Sequence, residues 1–301
     1  MLSYLHSFHA GNHADILKHV TLLYTLQYFN KKDKPYAVFD THSGRGLYDI
    51  KNECALKTGE AAQGIGRLLE TASNSGDSQF PSELNDYLNF VKKSLEKGFY
   101  PGSPAIEKAF IKPGSALFLT ELHKTEAAFL SEHFGGKNGV HISNSDGFSF
   151  LKSNVPPAQK RGFILCDPSY EEKSDYYNAA QVLSFVHKKW SGATILLWYP
   201  LLKNREEEIE NMKAQLFSTV KNRDFHTEVL DARLLVDTPD SHTETSLEES
   251  IGSARPRLYG SAILAVNPCW GLKEHLESIL PFLSKTLERE EGCGDYSVVL
   301  E

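Results

Sequence analysis

The sequence predicts an α/β fold: a mostly parallel sheet with a helical insert after its first strand. Two observations predict it. Short apolar runs recur along the chain, and Asp40, Glu121, Asp146 and Asp167 each stand at the end of one. Ligands of open α/β sheets bind beyond the carboxyl ends of strands, so four acids at matching positions point to one shared site. The stretches between these runs carry apolar residues at helical spacing.

The chain has 301 residues, enough for one large α/β domain with an insert. A net charge of −7 does not advertise nucleic-acid binding; any such contact must come from a local basic patch. Cys54, Cys166, Cys269 and Cys293 show no CxxC spacing, which favours reduced thiols over a disulfide framework or a zinc site. The N-terminus lacks a basic-then-apolar signal pattern, and no apolar run approaches the ~20 residues of a membrane span. A cytoplasmic protein is expected.

Taken in order, the chain opens on a segment rich in histidine: His6, His9, His13 and His19, with Tyr4 and Lys18 beside them. Asn12 is placed to cap a helix running to about Phe29, with Ile16, Leu17, Val20, Leu23 and Leu26 at helical spacing. His9 and His13 stand four apart, but Ala10 occupies the position where a zinc-binding HExxH motif needs glutamate. The segment is either a polar lead into a packing helix or a flap over a site, with Tyr4, His6, Lys18 and His19 toward the ligands.

The run 37–42 feeds Ser43-Gly44-Arg45-Gly46, the strand-then-glycine start of many nucleotide-binding units. Asp49 stands where G-x-G-x-x-G needs its third glycine, which weakens a dinucleotide reading. Residues 50–100 then break the strand–helix rhythm. Two helices are expected, 61–71 and 81–95, the second with a lysine cluster at Lys92, Lys93 and Lys97 that reads as a solvated face or a nucleic-acid contact. The predicted division is therefore 1–49 with 101–301 as the sheet domain and 50–100 as an inserted helical subdomain.

In Tyr100-Pro101-Gly102-Ser103-Pro104, Ser103 is expected to cap a helix beginning at Pro104. Further strands are expected at 116–122, 139–147, 163–166 and 193–199, the last ended by Pro200, with a helix over 203–213. Glu121 falls where Rossmann-like folds bind ribose hydroxyls. Asp146 either caps a helix or touches an adenine edge. Strands at 226–234 and 259–266 flank an acidic, Ser/Thr-rich stretch, 237–250, expected as a mobile loop. A final helix spans 272–287, with Pro281 expected to kink or break it.

The chemistry concentrates in Cys166-Asp167-Pro168-Ser169-Tyr170, which follows the apolar run Phe163-Ile164-Leu165. The Asp167 carboxylate and the Pro168 carbonyl can accept hydrogen bonds from an exocyclic amine, and Tyr170 can stack on a planar base. The pattern points to modification of a nucleobase amino group. On its own, Asp167 also fits a loop-capping acid.

The block from Ser3 to Asp15, with Asp40-Thr41-His42-Ser43-Gly44, Tyr100-Pro101-Gly102-Ser103-Pro104, Asp167-Pro168-Ser169-Tyr170-Glu171 and Leu197-Trp198-Tyr199-Pro200, resembles the bacterial 23S ribosomal RNA adenine-N6 methyltransferase J family. The resemblance covers nearly the whole chain. It implies a Rossmann-like, S-adenosylmethionine-dependent methyltransferase with an inserted helical subdomain. It implies 23S ribosomal RNA as partner, protein-free or early in assembly, with Asp167, Pro168 and Tyr170 at the target adenine. By matching position it implies a cofactor site of Lys18, His19, His42, Ser103, Glu121, Asp146, Gly147 and Asp167, with Tyr4 and His6 near the substrate. Two departures stand out. Ser169 replaces the second proline of the family's Asp-Pro-Pro-Tyr motif, from which a looser loop is expected, and the acidic stretch after Val236 is longer than usual. A DNA adenine-N6 methyltransferase is the main alternative. A nicotinamide dehydrogenase lacks the glycine it needs, and a non-enzymatic nucleic-acid binder needs no methyl donor.

Overall fold

A computed structural model describes residues 5–51, 53–74, 80–239 and 258–301. Tyr4 and most of the 237–250 stretch lie outside the described residues. The central sheet has eight strands. In chain order they are β1 (Ala37–Asp40), β4 (Ala116–Thr120), β5 (Val140–Ser143), β6 (Gly162–Cys166), β7 (Thr194–Leu202), β8 (Val229–Leu235), β9 (Leu258–Val266) and β10 (Asp295–Leu300). The remaining two, β2 (Leu47–Tyr48) and β3 (Tyr100–Pro101), form a small antiparallel ribbon. Across the sheet the order is β10-β8-β9-β7-β6-β1-β4-β5. From β5 to β7 all pairs are parallel; β9 runs against β7, β8 against β9, and β10 against β8.

The parallel strands β1 and β6 are buried along their whole length, as strands covered by helices on both faces must be. One face is covered by α1 (His13–Asn30) and α10 (Leu272–Leu287), whose Leu17, Val20, Leu276 and Leu280 share a core with Leu117 and Leu165. The other face packs α8 (Lys173–Lys189) and α9 (Glu206–Arg223), through Tyr176, Leu183, Met212 and Leu216, against Ile164 and Leu197. Residues 50–100 form α2 (Glu53–Thr58), a π-helical turn (Ala62–Gly66), α3 (Arg67–Asn74), a 3-10 turn (Ser82–Leu84) and α4 (Asn85–Leu95). Ile65, Leu68, Leu84 and Tyr87 from this stretch join the α1–α10 core.

Several local expectations are corrected. β7 continues through Pro200 to Leu202. Its pairing with β6 ends at Leu197, so beyond that point one side of β7 needs no N–H donor and proline is tolerated. α10 is not broken at Pro281, which sits on its exposed face. α9 begins at Glu206, not 203, and runs on to Arg223. Ser103 is the first residue of α5 (Ser103–Phe110), with Gly102 in the cap position, and its hydroxyl makes no cap bond. By contrast Asn12 caps α1 as expected, accepting from the amides of Ala14 and Asp15.

Candidate active site

The carboxyl ends of β1, β4 and β6 open into one cleft of about 740 Å3, lined also by His6 and His9 of the N-terminal segment and by Glu60, Gln63 and Gly64. Short loops after each strand set its floor. Gly44 and Gly46, with φ of +60° and +79°, make the turn after β1. At Gly147 an added Cβ would lie 1.9 Å from the Thr41 carbonyl oxygen, so only glycine lets the start of α7 (Gly147–Asn154) pack there.

The cleft is organised by an ion cluster. Lys18 Nζ lies 2.5 Å from Asp167 Oδ2 and 2.9 Å from Asp15 Oδ1. Asp15 Oδ2 is in turn 3.0 Å from His6 Nε2 and accepts from the Gly11 amide at 2.9 Å. Asp15 and Lys18 are i, i+3 neighbours, so α1 brings both to one face. Burial works against the charge of each, yet the partners prevail. His6, Lys18 and His19 hold the Asp15 carboxyl well below its usual range, and Asp15 and Asp167 hold the Lys18 ammonium well above its own. Asp167 itself is 16% exposed, which leaves carboxylate surface toward the cleft.

The other expected residues fall as follows. Lys18, His19, His42, Ser103, Glu121, Asp146, Gly147 and Asp167 all line this cleft, as do His6, Pro168 and Tyr170. Glu121 accepts from the amides of Gly44 at 2.9 Å and His123 at 2.7 Å, and so ties β4 to the glycine turn. Asp146 caps α7, accepting from the Ser149 amide at 2.8 Å. Asp146 thus caps the helix and also lines the cleft. His19 is buried, its Nδ1 3.0 Å from the Tyr100 hydroxyl, and His42 Nδ1 is 2.7 Å from Thr41 Oγ1. Burial lowers both imidazoles, to about 3 and about 4, so both are neutral near pH 7.

Two residues serve differently from expectation. Ser103 donates to Asp40 Oδ2 at 2.7 Å instead of capping α5. Tyr170 is only 4% exposed: its φ of 52° turns the ring inward against Tyr176, and its hydroxyl donates to the Trp198 carbonyl at 2.8 Å. The aromatic expected to stack on a base lines the cleft but is almost wholly buried. Just beyond Ser169, which stands in place of a second proline, Asp175 closes the capping box of α8, its carboxylate accepting from the Glu172 amide.

Asp40 stands behind the cleft wall. Burial pushes its carboxyl up to about 7, against the Ser103 hydrogen bond, with the Asp167 charge adding to the rise. The folded form thus binds its proton more tightly than the unfolded chain does. Its stabilising contribution is complete below about pH 4 and is lost as pH rises through about 7. Thermal melting of Asp40→Asn is expected to show a smaller loss of stability between pH 5 and pH 8 than the parent, because the amide keeps an acceptor for Ser103 and cannot ionise. An identical pH dependence in both proteins would contradict this role. Among the described residues no group of His, Cys, Asp and Glu could hold a metal ion.

Sequence reasoning placed Lys18 against a cofactor; the structure places its ammonium on Asp167 and Asp15. The i, i+3 spacing of Asp15 and Lys18 carried part of this signal. Glu60, which bonds His9 and Asn12, was missed, and nothing in its local sequence marks it.

A mostly parallel sheet, acids at its carboxyl strand ends and an Asp-Pro-Ser-Tyr loop after β6 define a Rossmann-like methyltransferase. The chain belongs to the family described as Ribosomal RNA large subunit methyltransferase D, RlmJ, whose model matches residues 33–300. It is 34% identical over 290 residues to Ribosomal RNA large subunit methyltransferase J of Escherichia coli, covering 95% of this chain and 94% of that one. With the protein of the same name from Haemophilus influenzae it shares 32% identity over 302 residues, 99% of this chain and 98% of the other. The crystal structure of protein LPL1258 from Legionella pneumophila superposes with a TM-score of 0.77 at 28% identity, covering 97% of this chain and 98% of that one. At 99% of this chain, the alignment with the Haemophilus influenzae protein takes in the N-terminal histidine segment, which precedes the span matched by the family model.

Proposed function

We propose that the protein transfers a methyl group from S-adenosylmethionine to the N6 amine of an adenosine in 23S ribosomal RNA. The observation that carries this reading is the Asp167-Pro168 pair at the carboxyl end of β6, open to the cleft and held by Lys18. Family membership supplies the substrate class. The cleft suits the donor. It is large enough for a nucleoside, and its rim offers the acids Glu121 and Asp146 for hydroxyl and amine groups. The close backbone approach at Gly147 provides a flat wall. Lys18, His19, His42, Ser103, Glu121, Asp146, Gly147 and Asp167 are the residues assigned to it. When bound, S-adenosylmethionine supplies a methyl group already activated by its sulfonium.

The chain's own task is to make a poor nucleophile reactive. The adenine N6 lone pair is delocalised into the ring. With the Asp167 carboxylate and the Pro168 carbonyl accepting its two hydrogens, the nitrogen is drawn toward a tetrahedral geometry. Lys18 holds Asp167 in a fixed direction, so positioning provides much of the acceleration. Tyr170 anchors the loop through its bond to the Trp198 carbonyl and is assigned to the target adenine, while Tyr4 and His6 are assigned to the substrate side. Extracting a base from a duplex costs a few kcal/mol, which favours an exposed adenosine.

The same reading takes residues 50–100 as an inserted helical subdomain and 1–49 with 101–301 as the catalytic domain. It takes the ribosomal RNA as protein-free or early in assembly, which puts the reaction in the cytoplasm. No described helix is long and apolar enough to cross a membrane. Parallel transfer assays with protein-free 23S ribosomal RNA and with duplex DNA test the substrate class. Label is expected in the RNA; label confined to the DNA would favour a DNA adenine methyltransferase instead.

A further inference from the structure

The N-terminal segment that carries His6, Asp15 and Lys18 is held by the insert, at a clasp remote in sequence from Asp167. Thr58 Oγ1 donates to the Phe8 carbonyl at 2.6 Å, and the Ile65 amide donates to the Gly11 carbonyl at 2.8 Å. At Gly64 an added Cβ would meet that same carbonyl oxygen at 2.1 Å, so the two backbones touch. Between these contacts lies one carboxylate. Glu60 Oε1 is 2.8 Å from His9 Nδ1, and Glu60 Oε2 accepts from Asn12 Nδ2 at 2.8 Å. Asn12 is the cap of α1, and the next residue but one after Gly11 and Asn12 along the helix start is Ala14, followed by Asp15. A continuous chain of contacts therefore runs from Glu60 through Asn12 and Gly11 to Asp15, then Lys18, then Asp167.

We propose that Glu60 is a positioning residue for methyl transfer: by binding His9 and Asn12 together it sets α1 against the sheet and thereby fixes the Lys18–Asp167 contact. This rests on the reading of the site as a methyltransferase centre. The carboxylate suits the task because it offers two acceptors to two donors on one segment. A neutral replacement without acceptors removes this link between His9 and Asn12 and lets the segment shift. Misplacing a reacting group by about 1 Å costs on the order of 100-fold in rate, so a small shift is enough.

The experiment uses the full chain and four variants. Glu60→Ala is expected to lower kcat on 23S ribosomal RNA by about 30-fold, while the Kd for S-adenosylmethionine stays within about twofold. Asn12→Asp keeps a good helix cap but sets a carboxylate against Glu60, and should lower kcat similarly. Glu60→Gln is expected within about threefold of the parent, because its amide oxygen accepts from Asn12 and its NH2 donates to the other tautomer of His9. Adding Glu60→Gln to Asn12→Asp restores a donor between the two side chains and should bring kcat back to within about threefold of the parent. A purely structural role would lower the melting temperature without this pattern of loss and rescue. Amide exchange over residues 163–170, measured without substrate, should quicken in Glu60→Ala and be restored in the double variant. Unchanged kcat and exchange in Glu60→Ala, or a double variant no better than Asn12→Asp alone, would overturn the proposal. If the parent methylates no nucleic acid, the functional reading fails by itself, and the exchange pattern still decides the role of Glu60.

Discussion

Asp167→Asn is expected to lower methyl transfer by about 100- to 1,000-fold, with a much smaller loss of affinity for S-adenosylmethionine. The reason lies in the acceptor count. An asparagine has one acceptor oxygen, and the Lys18 ammonium, 2.5 Å from Asp167 Oδ2, is placed to claim it. The remaining NH2 would then face the substrate amine, donor against donor. The amine loses the acceptor that draws its nitrogen toward tetrahedral geometry, and the loop loses a negative charge where positive charge develops. Single-turnover kinetics with calorimetric donor binding separates the two steps. Turnover within about threefold of the parent would remove Asp167 from the chemistry.

The second large effect is expected at Lys18, and it reaches stability as well as rate. Its side chain is 7% exposed, and it lies between Asp15, 1% exposed, and Asp167. Lys18→Met removes the cation and leaves two carboxylates facing each other in a poorly solvated site. Removing one partner of a buried pair costs about 3–5 kcal/mol, chiefly through the charge left behind. Urea denaturation should therefore show a loss of that order at pH 7. The loss should shrink as pH falls, since Asp15, held well below its usual range by its partners in the parent, rises once Lys18 is gone and takes up a proton. Methyl transfer should fall by about 100-fold or more, because Asp167 loses the contact that orients it. A stable, active Lys18→Met protein would mean that the cluster is ornamental.

The sheet was legible where a strand's pattern is local. The fully buried runs at β1 and β6 announce themselves, and the acids at their ends point to the cleft because parallel strands all deliver their carboxyl ends to one side. The cap at Asn12 and the limits of α10 are equally local. What sequence could not convey is the pairing of distant groups. Lys18 meets Asp167 across 149 residues, and Ser103 meets Asp40 across 63, so the hydroxyl that looks like a cap is taken by a buried acid. Tyr170 was named correctly as part of the loop, but its rotation into the interior depends on a positive φ and on the cavity formed by Tyr176, Trp198 and Met212. β10 escaped notice because its half-exposed residues carry no alternation, and only the free edge of β8 makes it a strand. Pro200 misled for a similar reason: whether proline ends a strand depends on which neighbour needs its N–H.

The net charge of −7 extends into the cleft, where acids outnumber Lys18, Arg205 and Arg289 and Lys18 and Arg289 are held in ion pairs. Association with RNA is therefore not expected to be accelerated by electrostatic steering.

The most direct test of the central claim is nucleoside mass spectrometry of protein-free 23S ribosomal RNA after reaction with the purified protein and S-adenosylmethionine, followed by mapping of the modified position. N6-methyladenosine at a single site is the predicted result. A methyl group on another atom or base, or RNA left unmodified while duplex DNA is methylated, would contradict it.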